Sequence, residues 1–154
     1  MPVTNYLVYW KRDGFNHKNG DPLKFAVGAQ LKKINSHDRL YIISWTKKTG
    51  FIFVGRIIVE RVVGLKEAQA IMNRPDFSWD TLYAIAGSDG TSSPPTPAVC
   101  SPIDNLLPKI WIETDKKAVI LKPPFKPTQF QSFRILSPYS TSIFDNLLNH
   151  PFAL

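Results

Sequence analysis

The chain has 154 residues, with 19 Lys and Arg against 12 Asp and Glu and a single cysteine. That length fits one domain spanning residues 1–154, and the net charge of +7 favours polyanionic partners, nucleic acid foremost. A lone Cys100 excludes an internal disulfide and a CxxC metal site. With no apolar leader and no membrane-length apolar run, a soluble cytoplasmic protein is expected, or a nuclear one in a eukaryote.

In chain order, residues 5–11 (NYLVYWK) are rich in strand formers and predict a first strand with Tyr9 and Trp10 at its exit. Residues 12–22 hold Asp13-Gly14, Asn19-Gly20 and Asp21-Pro22, three turn-forming pairs, and predict a loop. Residues 24–34 (KFAVGAQLKKI) place Phe25, Gly28, Leu31 and Lys32 near helical spacing. A short helix after an irregular start over 25–28 is expected, before residues 35–38 turn the chain.

Residues 39–63 carry the strongest pattern. Two β-prone runs, 39–45 and 51–63, flank a polar turn at 46–50 and predict a hairpin. The second arm is apolar on both alternation phases, with Phe51, Phe53, Ile57 and Val59 on one side and Ile52, Val54, Ile58 and Val62 on the other. Such a strand is covered on both faces, and Gly55 marks a bend within it.

Further on, residues 65–74 predict a helix stopped by Pro75, and residues 79–86 a strand followed by a turn at 87–90. The stretch 91–102 (TSSPPTPAVCSP) reads as a proline-rich insertion. Residues 110–113 and 117–121 form a second hairpin, 123–127 a rigid extended segment, and 129–136 either a strand or irregular chain. Ser137-Pro138 is a helix start, serine capping and proline taking the first helical position. The closing helix runs to about residue 149, with Ile143, Phe144, Leu147 and Leu148 on one face. The sum is an α+β fold built on a mostly antiparallel β-barrel with flanking short helices.

Catalytic signatures are sparse. His17, His37 and His150 stand far apart, and no nucleophile elbow, phosphate-binding loop or dinucleotide fingerprint is present. No metal, cofactor or catalytic residue is expected. Pro75-Asp76 with Asp115-Lys116-Lys117 resembles a nuclease pattern, but these positions read as a helix stop and a hairpin turn. A different constellation is aromatic and basic: Tyr9, Trp10, Lys11 and Arg12 at the first strand's exit, Lys24 and Phe25 in the irregular segment, Trp45, Lys47 and Lys48 at the hairpin turn. Aromatic faces stack on bases, at roughly 1 to 3 kcal/mol per base, while lysine and arginine meet phosphates. Each tryptophan stands between core packing and site lining.

The order LVYWKR, KFAVGAQLKKI, HDRLYIISW, a short turn and GFIFVGRIIVE resembles the PUA-like superfamily, most of all its EVE and YTH branches, with His37 where the pattern has glycine. The tail FQSFRILSPYSTSIFDNLL is similar to the closing segment of EVE-like domains at Gln131, Arg134, Leu136 and Ser137. The resemblance implies a pseudo-barrel that binds DNA or RNA without catalysis and holds a modified base, methylated or hydroxymethylated, in a pocket. Trp10 and Lys11 would supply one wall, Phe25, Ala26, Val27 and Gly28 a second, and Ser44, Trp45 and Thr46 a third, with Arg134 as a backbone or base contact. YTH-like readers carry a tryptophan in the second segment, where this chain has Phe25 and Val27. The related ASCH branch implies the alternative, a small hydrolase of modified nucleosides using Lys11 or Lys24 with Glu60 or Glu113. A third reading is an interaction domain in a larger defence or RNA-processing complex.

Overall fold

A computed structural model describes residues 3–10, 24–48, 50–87, 101–114, 117–130 and 132–149. Lys11 and Arg12, the loop at 12–22, most of the proline-rich stretch with Cys100, Asp115, Gln131, His17 and His150 lie outside the described residues.

The strands in chain order are β1 (Asn5–Tyr9), β2 (Phe25–Val27), β3 (Arg39–Thr46), β4 (Gly50–Val63), β5 (Tyr83–Ala86), β6 (Ser101–Pro102), β7 (Trp111–Thr114), β8 (Lys117–Ile120) and β9 (Arg134–Leu136). Among the described residues, helices α1 (Leu65–Met72) and α2 (Pro138–Asn149) accompany short 3-10 turns at Ala29–Lys33, Leu107–Lys109 and Pro127–Phe130. The strands hydrogen-bond in the order β2-β5-β4-β3-β1-β9-β7-β8, with β6 added to β4. Among the described residues every pairing is antiparallel except β1 with β3, which run parallel. This is a mostly antiparallel open sheet in an α+β fold, its two ends unpaired with each other among the described residues.

The 39–63 hairpin forms as its β-branched runs demand, but its face assignment differs from strict alternation. The register jumps from Ile42↔Gly55 to Ile43↔Phe53, leaving Val54 as the extra residue of a bulge. One inserted residue shifts the pleat, so Ile57 and Val59 join Ile52 and Val54 in one cluster while Phe51 and Phe53 enter the opposite one. A second irregularity between Val59 and Arg61 lets Val62 pack on the first cluster too.

Residues 25–27 are a strand rather than an irregular helix start. They pair with Ile85, Ala84 and Tyr83, and Gly28 N–H continues to Leu82 O at 3.0 Å. Only beyond Gly28, at φ +154°, does the chain coil into Ala29–Lys33. Tertiary pairing thus overrides a weak local helical spacing.

The helix boundaries follow local chemistry. Asn73 ends α1 in the left-handed region (φ 52°), its N–H returning to Ala70 O and Gln69 O, with Pro75 beyond. Ser137 Oγ accepts the Ser140 N–H at 3.3 Å, capping α2 as the sequence predicts. Ser140 Oγ in turn accepts the Trp111 N–H at 2.6 Å, tying that helix start to β7.

The sheet is covered on both sides. On one side, here the Trp10 face, Tyr6, Val8, Ala26, Leu31, Leu40, Ile42, Ala84 and Ala86 pack with the β4 residues above, so five strands share one cluster. On the Tyr41 face, Leu7, Tyr41, Ile43, Ile112, Phe130 and Leu136 meet Phe144 and Leu147 of α2. A third cluster joins Val63, Ala68, Phe77, Tyr83 and Ile85 beneath α1.

Candidate functional site

The parallel register Asn5↔Arg39 through Tyr9↔Ile43 sets Trp10 beside Ser44 at the end of the sheet. Trp10 N–H donates to Ile43 O at 2.9 Å, and Ser44 Oγ donates to Trp10 O at 2.8 Å. These bonds hold the backbone that carries the Trp10 indole, which rests half-buried on the cluster of Tyr6 and Val8. Leu82, Phe133 and Ile135 likewise pack on this cluster while staying partly exposed, and together they make its rim.

The 3-10 turn at Ala29–Lys33 reaches the same rim. Gln30 Oε1 accepts the Phe133 N–H at 2.9 Å, and Lys33 Nζ lies 5.9 Å from the Tyr6 ring centre and 5.5 Å from that of Phe133. Lys24, Lys32 and Lys33 are exposed along this segment, so cationic charge borders the aromatic rim. Gly28 is bonded to Leu82, and the loop leading to Leu82 carries Trp79, which is 60 % exposed. Burial does not explain an indole this exposed, and a face open to solvent is one a ligand base can cover.

The expected pocket residues divide between different surfaces. Trp10, Ala26 and Ser44 belong to the Trp10 face, Ala26 and Ser44 being buried. Phe25 and Val27 point the other way along β2 into the third cluster, where Phe25 lies 4.9 Å from Phe77 and 6.3 Å from Tyr83, ring centre to ring centre. Trp45, one residue after Ser44, faces the Tyr41 side and packs half-buried near Phe51 at 6.5 Å. Trp10 and Trp45 therefore lie on opposite sides of the sheet. Thr46 pairs with Gly50 at the hairpin end, and Lys47 is exposed in the turn. Arg134 donates from Nε and Nη2 to Gln129 O, each at 3.2 Å, and so fastens the turn at Pro127–Phe130. Lys24, Glu60 and Glu113, the residues a hydrolase would use, are exposed and make no ion pair among the described residues.

Compared with known proteins, the chain matches no family model, no curated protein and no solved structure. Its functional reading rests on this geometry. Sequence reasoning missed Gln30 and Phe133 at the rim, and the exposed Trp79 on the loop that leads to Leu82. For Trp79 a signal existed, since Ser78 and Asp80 flank it and a tryptophan between polar neighbours does not fit a buried strand.

Among the described residues, no helix is long and apolar enough to cross a membrane. A groove of about 440 Å³ lies between α2 and the segment before β7, lined by Leu106, Lys109, Tyr139, Ile143 and Leu147 among others. It lies beside the Tyr41-face cluster, away from Trp10.

Proposed function

We propose that this chain is a non-catalytic module that binds DNA or RNA and recognises a modified base at the rim of the Trp10 face, as the resemblance to PUA-like EVE and YTH domains implies. The observation that carries the reading is the half-buried Trp10, held by Ile43 and Ser44 and bordered by the lysine-bearing segment 24–33. In this reading Trp10 and the exposed Trp79 supply stacking surfaces, Gly28 allows close backbone approach, and Lys24, Lys32 and Lys33 meet phosphates. Gln30, in the turn at Ala29–Lys33, accepts the Phe133 N–H, a link from the segment after β2 to the segment before β9 that supports the barrel reading.

The test is affinity for oligonucleotides bearing methylated or hydroxymethylated bases against unmodified ones, at two stated salt concentrations. Binding should weaken with salt, as phosphate contact requires, and should favour a modified base. Equal affinity for all oligonucleotides refutes modification reading. Absence of salt-sensitive binding refutes the nucleic-acid assignment itself.

A further inference from the structure

At the end of the sheet away from Trp10, and on its opposite face, polar side chains enter an otherwise apolar layer. Register sets Asn5 beside Arg39, and Tyr41 beside Arg56. The Tyr41 hydroxyl donates to Asp145 Oδ1 at 2.9 Å, and Arg56 Nη1 donates to the same oxygen at 2.9 Å. Asp145 is thereby committed to Tyr41 and Arg56, whose side chains are buried or nearly so; Arg56 is 14 % exposed and Asp145 33 %. Arg39 is a hydrogen-bonding neighbour of the Tyr41 phenol and, with the charge of Arg56, favours the phenolate against burial and Asp145.

Arg39 differs from Arg56 in having no carboxylate. It makes no ion pair among the described residues, and its Nε is buried without a hydrogen-bond partner. Asn5 Oδ1 is buried and unpaired in the same way, and turning that amide about offers N–H donors instead. A half-buried guanidinium without a counter-charge is unfavourable, and the fork of a guanidinium matches the oxygens of a phosphate. The chain's excess of cations makes an anionic ligand the natural complement.

We infer that Arg39, with Asn5 beside it and the Arg56–Asp145 pair as its neighbour, forms a binding site for the oxyanion of a phosphate group. In this site the Nη groups of the half-buried Arg39 meet the oxygens, while Tyr41, Arg56 and Asp145 hold the surrounding surface in place. The site is independent of base reading: it sits on the other face and uses none of the Trp10 rim. Free phosphate and the phosphate of a polynucleotide present the same chemistry.

The experiment follows the Arg39 Nε–Hε resonance of the full chain, assigned with the Arg39→Lys variant, during titration with sodium phosphate or with sodium chloride at equal ionic strength. Thermal unfolding is measured in parallel. Saturable movement of that resonance and a higher Tm in phosphate alone are expected. Arg39→Gln should lose the phosphate-dependent rise in Tm yet unfold in chloride no earlier than the parent chain, because it removes a charge that has no ion pair among the described residues while leaving an amide donor for the Tyr41 phenol. Equal responses to the two salts, or Arg39→Gln unfolding well below the parent in chloride, overturn the proposal. A 5′-phosphorylated oligonucleotide and its dephosphorylated form identify the source. Movement with either oligonucleotide assigns a polynucleotide phosphate and movement with free phosphate alone a small-molecule anion, both supporting the site.

Discussion

Asp38 is 1 % exposed, and its carboxylate ties three segments together. Oδ1 accepts the Thr4 N–H at 3.0 Å and Oδ2 the Asn35 N–H at 2.9 Å, while the Asp38 backbone bonds to Asn35 O and to the Val59 N–H. Asp38→Ala removes both side-chain acceptors and leaves two backbone donors to find water at a shielded site. At about 1 to 3 kcal/mol for each such loss, the variant should be about 4 kcal/mol less stable. Asp38→Asn keeps one acceptor and turns an NH₂ group toward the other donor, so about half that loss is expected. Urea unfolding measures both: with a slope of about 2 kcal/mol/M, the alanine variant should unfold near 2 M lower urea at unchanged slope. A loss below about 1 kcal/mol for alanine, or asparagine matching the parent chain, refutes the view that both oxygens are needed.

Other substitutions probe separate elements. Tyr41 is pushed up to about 12, first by burial and then by Asp145, so the stability it contributes is complete below pH 10 and disappears as pH rises to about 12. Urea midpoints measured from pH 9 to 12 should fall more steeply in the parent than in Tyr41→Phe. His37 is exposed at φ 76°, a region that costs most side chains about 1 kcal/mol, so His37→Gly should raise Tm. Gly50, at φ 69°, is the reverse case: an added Cβ would collide with the Asp104 carboxylate that accepts the Phe51 N–H at 3.1 Å, and Gly50→Ala should lower stability by about 2 kcal/mol. Trp10→Ala should weaken oligonucleotide binding by roughly 5- to 150-fold, the value of one stack, whereas Trp45→Ala should cost about 2 to 3 kcal/mol of stability and leave binding unchanged. The opposite result would transfer the site to the Tyr41 face.

The elements most readable in the sequence are those whose local chemistry and tertiary role agree. The β-branched runs on either side of residues 46–50 pair as a hairpin, and Ser137-Pro138 opens a helix, because neither needs information from elsewhere in the chain. Residues 25–27 were opaque for the converse reason: three residues carry little periodicity, and only pairing with β5 fixes them as extended. The faces of β4 depend on where one extra residue enters the ladder. Gly55 signals a bend, but a glycine does not say which neighbour is inserted. The site was harder still. Whether Trp10 and Trp45 share a face is decided by the parallel β1–β3 register, and parallel pairing between segments separated by some thirty residues leaves no mark on either strand.

One strand, β4, contributes to all three clusters: Ile52, Val54, Ile57 and Val59 to the first, Phe51 and Phe53 to the second, Val63 to the third. The layers on the two sides of the sheet therefore share a single backbone, and neither can melt while β4 remains fully in place for the other. Amide hydrogens of β4 should exchange only through global opening, at one common rate limit, while α1 and the terminal strand β8 open by smaller excursions. A ligand on the Trp10 face would then stiffen the Tyr41 face through this shared strand, without any contact across the sheet.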